Sequence, residues 1–132
     1  MSGLILKLSP HERVLINGAV IENGDRRGRI RILTENASIL RLKDAFHPDS
    51  LDTPVKHICY TIQLALSGDL CPNSVKVKSR KGIAALQRVF QDEHSARLLR
   101  AASEQIEAER FYKALKTLRE LLNIEANLMA LG

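Results

Sequence analysis

Short runs of alternating apolar and polar residues cover the first forty-odd positions, which is the pattern of half-buried β-strands. Leucines recur at every second position in the run 4–8, and Pro10 ends it because proline cannot donate to a sheet ladder. Two Asn-Gly pairs, Asn17-Gly18 and Asn23-Gly24, follow later apolar runs, and this dipeptide favours the positive φ angles of a tight hairpin turn. We therefore predict a meander or small barrel-like sheet of about five short strands. The strands are expected at 4–8, 14–16, 19–22, 29–33 and 38–42.

Apolar residues recur at helical spacing from residue 54 onward. Thr53 precedes a proline at the first helical position, and Gly68 marks the end of that helix. Residues 69–82 are predicted to form a basic, mobile connector. The basic residues of this connector are Lys76, Lys78, Arg80 and Lys81. Further helices are predicted near 83–90, 95–107 and 110–128.

These elements predict an α+β fold, in which an N-terminal antiparallel sheet of about five short strands is followed by a C-terminal bundle of about four helices. The corresponding lobes are residues 1–45 and 46–132. The chain has 132 residues, of which 45% are hydrophobic, so it is long and apolar enough for one domain or two small lobes with a real core.

Net charge and the lack of membrane or secretion signals limit where the protein acts and what it binds. The net charge is +5, and the basic excess lies in the first ninety residues, because residues 91–132 hold six Lys/Arg against seven Asp/Glu. This asymmetry permits an anionic partner. No run approaches the roughly 18 apolar residues of a membrane span, and residues 1–10 lack the charged start of a signal peptide. We therefore expect a cytoplasmic protein with no membrane partner, in which Cys59 and Cys71 stay reduced.

The segment 23–32, NGDRRGRIRI, holds four arginines in ten residues. The two-residue period of a strand places its two isoleucines on one face and its last three arginines on the other, at intervals of about 7 Å. That spacing resembles the spacing of successive phosphates in an extended nucleic acid strand. The alternative is a solvated strand face that resists edge-to-edge aggregation. The candidate RNA-binding residues are Arg26, Arg27, Arg29 and Arg31, with Arg41 and Lys43 as an extension.

The sequence contains no recognisable catalytic or metal-binding pattern. His57 and Cys59 are two positions apart on a predicted helix and diverge by about 200°, so they cannot chelate one metal ion. Cys59 lies on an apolar stripe and is expected in the core. We predict a protein that is not an enzyme and has no catalytic residue, metal or cofactor. No aromatic residue precedes Phe46, so RNA contact by the sheet would use arginine stacking, backbone groups and phosphates rather than stacking on aromatic side chains.

Most of the chain resembles the FlbT family, bacterial regulators of flagellum biogenesis. The most specific part is 6–31, in which Asn17-Gly18-Ala19-Val20-Ile21 is followed by Asn23-Gly24. Asp52-Thr53-Pro54, Ile62-Gln63-Leu64 and 112–116 (YKALK) support it. The resemblance implies association with the 5′ untranslated region of flagellin mRNA and lowered flagellin synthesis, through blocked translation or mRNA decay. Some members of the family are described as activators, so the sign of regulation stays open.

A second resemblance covers only the sheet. Gly3-Leu4-Ile5-Leu6, His11-Glu12 and Leu15-Ile16-Asn17-Gly18 are similar to the opening of the carbon storage regulator family of small RNA-binding dimers. This similarity implies a dimer built through the N-terminal sheet, with RNA held along the sheet edges. The C-terminal helices would then be an added module.

Three functions are therefore open at this point. The first is an RNA-binding repressor whose partner is the flagellin leader mRNA. The second is an adaptor that binds a flagellar regulatory protein through the helical half and affects mRNA only indirectly, and the third is a flagellin chaperone. A homo-oligomer is also expected. The predicted partner or oligomer interface consists of Leu121, Leu128 and Met129.

Overall fold

A computed structural model, which describes residues 3–35 and 37–131, contains five strands followed by four α-helices. The strands are β1 (Leu4–Leu8), β2 (Arg13–Ile16), β3 (Ala19–Glu22), β4 (Gly28–Ile32) and β5 (Ile39–Arg41). The helices are α1 (Pro54–Leu66), α2 (Pro72–Val89), α3 (Glu93–Glu107) and α4 (Phe111–Leu131). Two short 3-10 turns, Leu42–Asp44 and Pro48–Ser50, connect the two halves. The predicted α+β class and the order of strands before helices are confirmed.

The five strands form two small antiparallel sheets rather than one meander. β1 pairs with β4 in a two-stranded sheet, which we call the ribbon, and the other sheet has the order β3-β2-β5. Asn17-Gly18 makes the predicted hairpin turn, with φ angles of +47° and +86°, and joins β2 to β3. Asn23-Gly24 does not form such a turn, because neither residue has a positive φ. The chain instead crosses from β3 to the ribbon through a loop.

The prediction of a mobile connector at 69–82 is wrong, because most of this segment belongs to α2. Pro72 occupies the first turn of this helix, where its missing N–H costs nothing. The buried stripe of α2 includes Ser79 as well as apolar residues, which weakens its apolar period in the sequence. Gly82 lies where α2 approaches α1. A Cβ added to Gly82 would lie 2.8 Å from Cδ1 of Ile58, so glycine permits this close contact.

Two hydrophobic clusters form the core. The larger one joins the four helices, and it also contains Leu40 of β5. The smaller one lies between the sheets and is built on Leu6, Leu8, Val14 and Ile39. Tyr112 of α4 packs against both clusters, so α4 is in contact with the strand region as well as with the helices. The division into lobes at residues 45 and 46 stays a prediction.

The C-terminal leucine stripe divides into buried and exposed parts. Leu121 has no exposed surface and belongs to the larger cluster, so its prediction as an interface residue is wrong. It packs inward because α4 contacts both α1 and α3. Leu128 and Met129, nearer the end of α4, are 52% and 65% exposed. Among the described residues, no helix is long and apolar enough to cross a membrane.

Candidate nucleic-acid interface

The outer face of the ribbon carries a cluster of cationic side chains. In the antiparallel pairing of β1 with β4, Lys7 stands directly opposite Arg29, and Ile5 stands opposite Arg31. Directly paired residues project from the same face of a sheet, so Lys7, Arg29 and Arg31 share the outer face. Ile30 and Ile32 are partly buried and pack against the smaller cluster. The predicted separation of arginines from isoleucines in β4 is therefore confirmed.

A shallow depression of about 400 Å³ lies at the end of the ribbon where β4 begins. Lys7, Arg27 and Arg29 line this depression, together with Leu8, Ser9 and Gly28. None of the six lining residues is acidic. The depression therefore brings three cations from two strands and the preceding loop to one concave surface. We call the four residues Lys7, Arg27, Arg29 and Arg31 the cationic face.

The loop that carries Arg26 and Arg27 is held in place by Asn23. The Nδ2 group of Asn23 donates to the carbonyl oxygens of Ser9 and Arg26, at 2.8 Å in each case. Its backbone N–H donates to the carbonyl oxygen of Glu12 at 2.9 Å. This loop is thereby fixed to the turn that follows β1, while the side chains of both arginines remain exposed. Asn23 thus positions the arginines instead of closing a hairpin.

Arg41 belongs to the scaffold beneath the cationic face. Its guanidinium donates to both carboxylate oxygens of Glu12, at 2.7 and 2.9 Å, and also to the carbonyl oxygen of Lys7. These bonds join β5 to β1 and to the turn after it. The Glu12 side chain is 2% exposed. The hydrogen bond from Arg41 outweighs burial and lowers the pKa of Glu12 to about 2.

Lys43, the other residue of the predicted extension, is half exposed. Its Nζ atom lies 3.7 Å from Oε1 of Glu12. The structure thus separates the six predicted RNA-binding residues into two groups: four arginines with exposed side chains at 26–31, and Arg41 and Lys43 beside a buried carboxylate.

Within the described part of the chain, no carboxylate lies within 4 Å of the charged groups of the cationic face or of Arg26. Like charges directly opposite each other on neighbouring strands are destabilising. Repulsion between Lys7 and Arg29 therefore destabilises the fold, and a bound anion would reduce that repulsion. Lys7 was absent from the sequence-based candidates, because only the register of β1 with β4 brings it to Arg29.

The two cysteines lie in different surroundings. Cys59 is fully buried in the larger cluster, and burial raises its pKa to about 12, so the thiolate is strongly disfavoured. Its predicted place in the core is confirmed. Cys71 is exposed at the start of α2. Among the residues that the structure describes, no group of three or more His, Cys, Asp or Glu side chains converges to hold a metal ion.

Comparison with known proteins identifies the family. A family model described as flagellar protein FlbT matches residues 4–129. The chain belongs to the FlbT family. The flagellum biosynthesis repressor protein FlbT of Caulobacter vibrioides is 33% identical over 128 residues, covering 92% of this chain and 86% of the relative. The probable flagellum biosynthesis repressor protein FlbT of Rhodopseudomonas palustris is 30% identical over 128 residues, covering 96% of this chain and 98% of the relative.

No solved structure matches the chain. The FlbT resemblance predicted from the sequence is confirmed by the family match. The similarity to the carbon storage regulator family stays a prediction.

Proposed function

We propose that this chain represses flagellum biosynthesis by binding the 5′ untranslated region of flagellin mRNA through its cationic face. Two relatives that match nearly the whole chain are named flagellum biosynthesis repressors, which supports the repressor role. The observation that carries RNA binding is the placement of Lys7 opposite Arg29, in a concave surface without an acidic residue.

The geometry of the cationic face suits a single RNA strand. Arg29 and Arg31 project from one face of β4 at an interval of about 7 Å, which resembles the spacing of phosphates in an extended strand. A guanidinium can bind a phosphate through two parallel hydrogen bonds and can also stack on a base. This second property matters because the ribbon carries no aromatic side chain. Arg26 and Arg27, on the fixed loop, would extend the path beyond the start of β4.

The proposed mechanism requires only that the protein binds the leader RNA. A protein docked on the leader would block the ribosome or alter the exposure of the message to nucleases, and neither effect needs a catalytic group on this chain. Arg41 has a supporting role in this proposal, because its guanidinium is occupied by Glu12 and the Lys7 carbonyl oxygen. Lys43 is exposed enough to add one further phosphate contact.

Titration of a labelled flagellin leader RNA at several salt concentrations, beside a scrambled RNA, tests this function. We expect tighter binding to the leader than to the scramble. The variant with Arg26, Arg27, Arg29 and Arg31 changed to alanine should lose affinity, and its salt slope should flatten by about 0.7 for each lost phosphate contact.

A matched control removes four exposed positive charges elsewhere. Lys78, Lys81, Arg88 and Arg100 are exposed and lie on α2 and α3, so their change to alanine alters the net charge equally. This control should keep most of the leader affinity. Equal losses of leader affinity in the two variants would show that only net charge matters. Leader binding that is unchanged after loss of the four arginines would overturn the proposed site.

A further inference from the structure

A second cavity, of about 430 Å³, lies where the far end of the ribbon meets the start of α4. Its volume is within the range of about 300–1,000 Å³ that is usual for ligand sites. The floor is apolar and comes from both halves of the molecule. The main floor residues are Leu4, Ile32, Ile39, Leu66 and Phe111.

One rim of this cavity is cationic. It is lined by Lys113 and Lys116 of α4 and by Arg110, which directly precedes α4, and the spacing of three residues keeps the three close together. All three are exposed, and in the described part of the chain none has a carboxylate within 4 Å. The Lys116 Nζ atom lies 5.8 Å from the centre of the Tyr112 ring, which also lines the cavity.

The acidic residues of the lining do not neutralise this rim. Glu109 is bound by Lys76, whose Nζ atom lies 2.8 Å from Oε2 of Glu109. Glu35, which follows β4, is the other acidic lining residue. The lining therefore holds three cations of the rim against one carboxylate that has no ion-pair partner in the described part of the chain.

We propose that this cavity is a docking site for an acidic segment of a partner protein that also carries aliphatic side chains. The aliphatic side chains would enter the floor, and the carboxylates would lie against the rim of α4. Leu33 lies at the mouth with 72% of its surface exposed, so it offers further apolar contact. This site is separate from the cationic face and does not depend on RNA binding.

The chemistry of the floor favours a peptide over RNA. A nucleobase carries several hydrogen-bonding groups on its edges, and burying them without partners is costly. The five floor residues are aliphatic or phenyl groups, and the lining adds only three uncharged polar side chains, Thr34, Ser38 and Tyr112. Aliphatic amino acid side chains gain by burial against the same surface. The cationic rim then selects acidic segments over basic ones by charge complementarity.

Fluorescence polarisation with a fluorescein-labelled peptide of alternating glutamate and leucine tests the site. A peptide of alternating lysine and leucine and one of alternating glutamate and serine serve as the two probe controls. We expect only the glutamate–leucine peptide to bind. The double variant Lys113→Glu and Lys116→Glu should weaken its binding by about tenfold or more at low salt, and glutamate near the start of α4 is compatible with the helix dipole.

Lys78 and Lys81 give a matched control, because they are exposed, are also three residues apart on a helix, and do not line the cavity. Their double change to glutamate should leave peptide binding within about twofold of the wild type. The variant Leu33→Ser should weaken binding of the glutamate–leucine peptide without changing the charge of the rim. Folding of each variant is checked by circular dichroism and thermal unfolding.

The outcomes separate this proposal from RNA binding. Loss of peptide binding in the Lys113 and Lys116 variant, with unchanged affinity for the flagellin leader RNA, supports the docking site. Failure of the glutamate–leucine peptide to bind at millimolar concentration overturns it. Loss of leader RNA affinity in the same variant, without peptide binding by the wild type, would instead assign the rim to RNA.

Discussion

Two segments of the chain have the same density of positive charge, and the structure gives them different surroundings. Residues 26–31 and 76–81 each hold four basic residues in six positions. In the second segment, Lys76 is bound to Glu109 at 2.8 Å and Arg80 to Glu107 at 2.7 Å. In the first segment, the nearest cross-strand neighbour of Arg29 is another cation, Lys7. The position of the acidic residues in space, rather than the local count of basic ones, distinguishes a partly neutralised surface from a surface that can bind an anion.

The two ion-pair environments also differ in burial. Glu107 is 42% exposed and its partner Arg80 is 58% exposed, so water screens their attraction. Glu12, which lies beneath the cationic face, is 2% exposed and its partner Arg41 is 20% exposed. The helical pair therefore neutralises surface charge, whereas the pair of Arg41 and Glu12 joins β5 to the turn after β1.

The largest expected effect comes from breaking these two pairs in turn. We expect Glu12→Gln to lower the free energy of unfolding by about 3 kcal/mol, because it leaves the partly buried Arg41 without a counter-charge. Glu107→Gln should cost at most about 1 kcal/mol, since its pair is exposed. Urea unfolding followed by circular dichroism measures both changes. Similar losses in the two variants would show that the burial of Glu12 has no energetic consequence.

The second effect concerns RNA affinity. The double change of Arg29 and Arg31 to alanine should weaken binding of the flagellin leader by about 30-fold at low salt, because two phosphate contacts are lost. The double change of Lys76 and Arg80 to alanine removes the same charge from residues already bound to carboxylates. That variant should lose less than about threefold. If the helical variant loses as much affinity as the strand variant, the contrast between the two segments does not extend to function.

The sequence was sufficient to predict elements whose signals are local. The alternation in β4, the Asn17-Gly18 turn and the Thr53-Pro54 helix start depend on neighbouring residues alone, and all three are confirmed. The first half of α2 was missed because Ser79 and Gly82 lie on its inner side, where a sequence pattern requires apolar residues. Gly82 is explained only by its contact with Ile58, which lies in a different helix.

The candidate site was predicted in part for a similar reason. The exposure of Arg29 and Arg31 follows from the period of one strand. The pairing of Arg41 with Glu12 joins residues 29 positions apart, and the pairing of Lys7 with Arg29 depends on the register of two strands that are distant in the sequence. Leu121 was assigned to an interface together with Leu128 and Met129, and only the packing of α4 shows that Leu121 is fully buried whereas the other two are exposed.

A third effect should appear on acidification. The pKa of Glu12 is about 2 in the folded protein against an ordinary value of 4.5, and Arg41 is the main cause. Because the folded pKa is the lower one, the contribution of Glu12 to stability is complete above about pH 5 and is lost as the pH falls toward 2. Protonation removes the same charge as Glu12→Gln, so the loss on acidification should not exceed the loss caused by that substitution.

The comparison of wild type with Glu12→Gln isolates this contribution, because the other carboxylates titrate in both proteins. Unfolding by urea at several pH values between 2 and 6 measures it. The difference in stability between the two proteins should shrink as the pH falls. A difference that stays constant over this range would rule out ionisation of Glu12 as the source of the stabilisation.

The smallest expected effect tests the repulsion that marks the cationic face. Lys7→Gln should raise the free energy of unfolding by about 0.5 kcal/mol, because it removes a like-charge pair with Arg29. The same variant should weaken leader RNA binding by about threefold, since it removes one phosphate contact. Lys78→Gln, on the exposed side of α2, is the control and should change neither quantity. Higher stability together with weaker RNA binding would show that Lys7 is kept at this position for anion binding rather than for stability. A Lys7→Gln protein that loses both stability and RNA affinity would instead show that Lys7 has a structural role.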